Sequence, residues 1–260
     1  MIDTHCHLEQ PDYNKDRDRV IKKCKRHLQA VITCCANPEN FDVTMQLVRE
    51  NCGFIFACAS LHPRYVKEVK ERSLEEYLEA IRQQKMSLVA IGETGLDYNW
   101  ITDSEGQEKQ KQLFVRLIAL AEQLQLPLVV HSRKATEDVI NILEEQKAKA
   151  VQMHMFTTRS LLNRVLENGW LISVNTLLLR SKTVKKVVRD CPLEQIMLET
   201  DSPWLGIGKD GTIKPKNVVR NDPTAILLVA EKIAEIKKLD LEEVDNQTTH
   251  NATEFFNIHF

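Results

Sequence analysis

The sequence predicts an α/β protein built as a single-domain (β/α)8 TIM barrel over residues 1–260. Three observations lead there. Short apolar, β-branched runs alternate with longer amphipathic ones along the chain, which reads as strands returning through covering helices. Eight such runs can be counted, the number a closed parallel barrel needs. The turn after the first run reads His5-Cys6-His7. A doubly wound open sheet, the other architecture this alternation allows, would be expected to carry a glycine-rich phosphate turn there.

The predicted strands cover 1–5, 30–35, 54–59, 88–91, 127–131, 151–154, 171–174 and 196–199. The clearest helix between them spans about 106–126, where Leu113, Leu117, Leu120 and Leu124 fall on one face beside Phe114, Ile118 and Ala121. That three- and four-residue spacing buries one stripe against a sheet. A second helix is predicted over about 222–238, with Pro223 suited to its first turn. Buried strands joined by helical crossovers pair in parallel.

Composition narrows the class. Charged residues make up 28% and apolar residues 43%, ordinary for a soluble globular domain. The net charge of −2 argues against a protein that wraps long stretches of nucleic acid, which has a clear basic excess. A nucleic-acid substrate would therefore be contacted locally, with bound metal ions supplying positive charge. The seven cysteines, at 6, 24, 34, 35, 52, 58 and 191, include no C-x-x-C pair and read as free thiols of a reducing compartment. No signal peptide is legible, and no apolar run approaches the ~18 residues of a membrane span. A cytoplasmic protein is expected.

The chemistry-bearing residues gather where the strands end. Side chains two apart on a strand share a side, so His5 and His7 can offer two imidazoles to one ion. Glu93 follows the fourth apolar run, His131 and His154 end the fifth and sixth, and Asp201 follows the eighth. In a barrel those ends converge on one face, where active sites are built. Each residue alone has a plain alternative: a hydrogen-bonded histidine, or a helix cap for Asp201. Together they read as a metal site.

These residues lie in blocks that resemble the TatD-type deoxyribonucleases of the metal-dependent amidohydrolase superfamily: DTHCHL at 3–8, IGETGLDY at 91–98, LVVHSR at 128–133, HMF at 154–156 and ETDSPWL at 199–205, with weaker matches in LHP at 61–63, RNDP at 220–223 and NATEFF at 251–256. The blocks run nearly the length of the chain. The resemblance implies that His5, His7, Glu93 and Asp201 hold one metal, and that Glu93 bridges to a second held by His131 and His154. It departs in two places: Leu61 stands where the family often has glycine, and Met155 where the usual sixth-strand motif is His-Cys-Phe.

Two divalent ions about 4 Å apart can lower the pKa of a shared water toward neutrality and hold the oxygens of a phosphodiester. Asp201 is the expected general base, with Glu93 catalytic as the bridge. The mixed ligands suit zinc or manganese and tolerate magnesium. Expected substrate contacts are His62, Arg133 and Asp97. Each has an alternative: a hydrogen-bonded histidine, a surface arginine paired with a carboxylate, and, for Asp97, a residue that orients a ligand or simply caps the turn. Trp100 and Trp204 stand in loops on the active face, where they either stack on a base or pack the loop rim, the latter being the stronger reading for Trp100. The segment 205–221, with Gly206, Gly208, Gly211, Lys209, Lys214 and Lys216, lacks a P-loop signature and reads either as a basic flap or as a solvated loop.

The expected partner is DNA, as single strands or strand ends, with no membrane and no obligate protein partner. Rival readings are a superfamily hydrolase of a small lactone or amide, a hydrolase of misacylated transfer RNA, and a non-catalytic metal-stabilised binding protein. The first often bridges its metals with a carboxylated lysine from the fourth strand, and residues 88–92 contain no lysine. The last predicts missing ligands, and all six are present.

Overall fold

The computed structural model describes residues 1–208 and 218–259. Lys209, Gly211, Lys214 and Lys216 of the predicted flap lie outside the described residues. All eight predicted runs form strands of one sheet, arranged in chain order. They are β1 (Ile2–Cys6), β2 (Ala30–Cys35), β3 (Ile55–Ala59), β4 (Ala90–Asp97), β5 (Leu128–Arg133), β6 (Val151–Met153), β7 (Leu171–Val174) and β8 (Ile196–Leu198). Every pairing from β1–β2 to β7–β8 is parallel.

The ring is completed just beyond β8. Asp201 N donates to His5 O at 2.9 Å and His7 N donates to Ser202 O at 2.7 Å. Thr4 Oγ1 donates to Leu198 O at 2.9 Å, and the buried Asp3 carboxylate accepts from Thr200 N at 3.0 Å and from the Thr200 hydroxyl. Satisfied backbone and side-chain bonds of this kind are what allow the seam to sit in the dry interior.

Helices α1 (Arg17–Cys24), α2 (Phe41–Glu50), α3 (Glu71–Gln83), α4 (Ser104–Leu124), α5 (Thr136–Glu145), α6 (Leu162–Glu167), α7 (Lys182–Asp190), α8 (Ile226–Lys237) and α9 (Leu241–Phe256) complete the chain. The predicted stripe of α4 is buried, and Asp103 starts that helix by accepting from Gly106 N at 2.9 Å. Pro223 opens a short 3-10 turn before α8, capped by Asp222 on Thr224 N at 3.0 Å.

Two apolar clusters follow from the strand alternation. The larger lies between sheet and helices. The smaller contains Ile2, Ile32, Cys34, Cys58, Ala90 and Val129, with Phe256 and Ile258 from the C-terminal segment packed on it. Its members recur every second residue along β2, so it marks the lumen of the barrel.

That parity exposes two features hidden in the sequence. Ile2 belongs to the lumen, yet Cys6 and Leu8 belong to the outer cluster. The β1–β2 register shifts between Asp3 and Cys6. One extra residue reverses which side chains point inward, and it turns His5 and His7 to the lumen. In β4, Ala90 faces the lumen, Leu96 faces the helices, and the register shifts between Gly92 and Thr94. This second irregularity turns Glu93 and Asp97 inward together.

The expectation that Glu93 and His131 stand where their strands stop is corrected here. β4 runs on to Asp97 and β5 to Arg133, with Gly95, Leu96 and Asp97 paired to His131, Ser132 and Arg133. Polar side chains concealed a ladder maintained by backbone bonding. Gly95 permits it: at φ 135° a Cβ there would lie 2.0 Å from His131 O.

Candidate metal centre

The mouth of the barrel brings all six predicted ligands together. Nε2 atoms of His5 and His7 lie 3.2 Å apart. His7 Nε2 is 3.5 Å from Asp201 Oδ1, and His5 Nε2 is 3.9 Å from the same oxygen. Glu93 stands in the middle with its oxygens facing different partners. Oε2 is 3.5 Å from His5 Nε2, whereas Oε1 is 2.6 Å from His131 Nδ1 and 3.7 Å from His154 Nε2. The rings of His5 and His154 stack at 3.7 Å between centroids.

Donor chemistry and spacing fit divalent cations. Ligand atoms of His5, His7 and Glu93 all lie within 4.8 Å of one another, as do those of Glu93, His131 and His154. Two ligands bound to one ion at about 2.0–2.2 Å come within roughly 3–4 Å of each other, so small closures suffice. His5, His7, Glu93 and His154 are at most 5% exposed, and a carboxylate at such depth keeps its charge only beside a cation, whether a protonated imidazole or a metal ion.

Behind the predicted ligands stand groups that orient them. His7 Nδ1 is 3.1 Å from Glu9 Oε1, and Glu9 Oε2 accepts from Thr33 Oγ1 at 2.6 Å. His154 Nδ1 is 2.7 Å from Glu199 Oε2. Glu199 also accepts from Met155 N at 3.0 Å, Asn175 Nδ2 at 3.1 Å and Ser173 Oγ. His131 Nε2 is 2.9 Å from Asp97 Oδ2, and His5 Nδ1 is 3.2 Å from Cys34 Sγ. Such partners fix the ring and tautomer of a ligating histidine. Sequence reading assigned no role to Glu9 or Glu199. The signal was present: the two-residue spacing that picks out His5 and His7 continues to Glu9, and the same step back from Asp201 reaches Glu199.

The electrostatics are those of mutual neutralisation. Burial acts against the His131 imidazolium, but Glu93 and Asp97 outweigh it and lift its pKa to about 9. Burial likewise opposes charge on His154, and Glu199 and Glu93 raise it to about 10. His7 is raised well above its ordinary value, with Glu9 and Asp201 overcoming burial. Burial dominates at His5, which is lowered. Burial would push Glu93 and Asp201 up, yet the surrounding imidazoles hold both below the usual carboxylate range.

The expected substrate contacts divide. His62 does two jobs: its Nδ1 accepts from Arg64 N at 3.1 Å, capping a 3-10 turn, while Nε2 points inward 3.6 Å from Glu93 Oε1. Asp97 is 1% exposed and uses both oxygens within the protein, Oδ2 on His131 and Oδ1 on Asn99 N at 2.9 Å and Trp100 N at 3.0 Å. These bonds favour the orienting and turn-capping readings of Asp97, which also lines the cleft. Arg133 is exposed in the cleft, and its guanidinium has no carboxylate partner among the described residues.

Above the buried floor opens a cleft of about 1190 Å³. Trp100 and Trp204 line it, 55% and 46% exposed, and the Trp204 ring lies 4.6 Å from that of His7. Four non-glycine residues with left-handed backbone also line it: Lys134, Met155, Asp201 and Leu205, with φ between 47° and 56°. Conformations of that kind cluster where function holds a side chain in place.

Comparison with known proteins shows which family the chain is similar to. A family model described as TatD related DNase matches residues 2–257. The chain is 37% identical to the human protein named deoxyribonuclease TATDN3, over 98% of this chain and 94% of that one. It is 34% identical to the uncharacterized metal-dependent hydrolase YabD of Bacillus subtilis, over 99% of both. Among solved structures, the Escherichia coli TatD homolog YJJV superposes with a TM-score of 0.88 at 24% identity, covering 100% of this chain and 98% of that one.

Proposed function

The chain belongs to the family of TatD-related deoxyribonucleases, and from that premise we propose that it uses two divalent metal ions to cut DNA phosphodiester bonds in single strands or at strand ends. At the coarser level it is a metal-dependent hydrolase of the nuclease type. The observation that supports the two-ion reading is Glu93, whose Oε2 faces His5 at 3.5 Å while Oε1 faces His131 at 2.6 Å. His5, His7, Glu93 and Asp201 would hold one ion; Glu93, His131 and His154 would hold the other. Zinc, manganese and magnesium all suit this donor set.

Bound ions supply Lewis acidity, neutralising phosphate charge and lowering the pKa of water. The remaining work falls to the chain. Asp201, kept ionised by His7, His154 and His5 against the pull of burial, takes the proton from the attacking water. Glu199 and Asp97 hold His154 and His131 in place, so the ligand rings need not reorganise during turnover. His62 Nε2 and Arg133 donate to phosphate oxygens, and the exposed faces of Trp100 and Trp204 stack on bases.

Depth favours a single strand. With its ligands at most 5% exposed apart from His131 and Asp201, the floor is reached by a lone backbone more readily than by an intact duplex. The test incubates metal-loaded protein with end-labelled single- and double-stranded DNA beside a panel of lactones and amides. Shortened single strands are expected. Turnover of the panel with DNA left intact would overturn the reading.

A further inference from the structure

At the rim of the cleft a guanidinium is clamped between two aromatic rings. The Arg64 Cζ lies 4.6 Å from the centroid of Trp100 and 4.9 Å from that of Tyr65. Neither ring belongs to the metal centre, yet both line the same cleft as it does. Arg64 is exposed, and among the described residues its guanidinium makes no ion pair and no hydrogen bond. This contrasts with Arg17, Arg19, Arg116, Arg159, Arg164 and Arg220, whose guanidinium groups all bond a partner. In the same cleft, Arg133 and Lys134 also lack carboxylate partners among the described residues.

Stacking holds a guanidinium by its face and leaves its N–H donors free at the edge, in the fork that matches two phosphate oxygens. The clamp is fixed to the catalytic floor from both sides. Arg64 N donates to His62 Nδ1 at 3.1 Å, and the other ring nitrogen of His62 is 3.6 Å from Glu93. Trp100 N donates at 3.0 Å to Asp97, the carboxylate that holds His131. Pro63, between them in the turn, is tied to α4 by Gln110 Nε2 at 3.0 Å. A cation placed so firmly, unpaired, and two residues from a ring facing the metal centre is preorganised for an anion that arrives with the substrate.

We propose that Arg64, clamped by Trp100 and Tyr65, is the binding site for a non-scissile phosphate flanking the bond that is cut. The proposal rests on the nuclease reading above. The recognised chemistry is a pair of non-bridging phosphate oxygens, supplied either by an internal diester or by a terminal monoester. Arg64 thereby sets which bond of the strand comes to rest over the metal centre.

Single-stranded oligonucleotides are made with one neutral methylphosphonate at successive positions around the cleaved bond, and parallel sets end in phosphate or in hydroxyl. KM is measured for wild type, Arg64→Ala and Arg64→Lys. In wild type, neutralisation at one position, or removal of the terminal phosphate, is expected to raise KM about tenfold, the size of a charge-assisted hydrogen bond. Arg64→Ala should carry that loss on the fully charged substrate and show no added penalty at that position. Arg64→Lys, with charge but no fork, should fall between. The log–log salt slope of binding should shrink by about 0.7 in Arg64→Ala, one phosphate contact on a single strand. An internal sensitive position identifies a diester; sensitivity only to the end identifies a monoester. If Arg64→Ala keeps the full wild-type penalty at every position, the proposal is wrong and the nuclease reading survives. If wild type cuts none of the oligonucleotides, both fall.

Discussion

Glu199 Oε2 lies 2.7 Å from His154 Nδ1, and the other oxygen of that carboxylate accepts from Met155 N at 3.0 Å. One buried acid thus grips both the imidazole and the backbone beside it.

Glu199→Gln should therefore loosen metal binding without removing a ligand. The amide can present its NH2 toward Nδ1, which disfavours the tautomer that leaves Nε2 free. Changes of this kind cost roughly 10–100-fold in metal affinity. Titration against a competing chelator measures it, with circular dichroism to verify the fold. Wild-type affinity in the variant would show that His154 needs no orienting partner.

Asp201→Asn and His131→Ala should part company in a metal titration. The first keeps an oxygen for the ion but removes the basic carboxylate, so turnover should stay down by ~10²-fold or more at full occupancy. The second opens a gap in the other half of the site, so excess metal should recover part of its activity. The comparison needs kcat with occupancy measured alongside. Near wild-type turnover of Asp201→Asn at saturating metal would make Asp201 a ligand only, with Glu93 the next base to test.

Metal loading at pH 7 should release protons. His131 and His154 are raised to about 9 and about 10, above the ordinary histidine value, so both are charged at neutral pH until a cation displaces their protons. Affinity should then rise with pH and level off once pH passes those values. Calorimetry in buffers of different ionisation enthalpy counts the protons, and a heat independent of buffer would contradict the assignment.

Thiol reactivity should separate one cysteine from six. Cys52 is exposed, while Cys6, Cys24, Cys34, Cys35, Cys58 and Cys191 are buried free thiols. Burial pushes Cys35 and Cys191 up to about 12, which suppresses the reactive thiolate. A chromogenic disulfide reagent should titrate one thiol in native protein and all seven after unfolding. Fast reaction of a second thiol would show that the packed strands open.

The barrel was legible because its strands are apolar runs with regular spacing, and the six proposed ligands because histidine and acid directly after such runs are conspicuous. What sequence reading missed has a common physical cause. β4 continues to Asp97 through Glu93-Thr94-Gly95-Leu96, where the ladder depends on backbone bonds and the side chains are mixed. The irregularities that turn His5, His7, Glu93 and Asp97 inward are properties of register between two strands, which neither strand shows alone. Glu9 and Glu199 were given no role, and their burial and their bonds to His7 and His154 mark them as part of the site. Which ligand Asp97 orients was not legible, because its distance to His131 depends on a pairing between two strands.

The seam that completes the ring joins Asp3 to Thr200, 197 positions apart. His5 and His7 are made first and Asp201 among the last parts of the barrel, so a chain that stops short of it carries five of the six proposed ligands and lacks the proposed base. On the proposed mechanism, hydrolytic competence therefore arrives in one step, once the chain has passed its last strand.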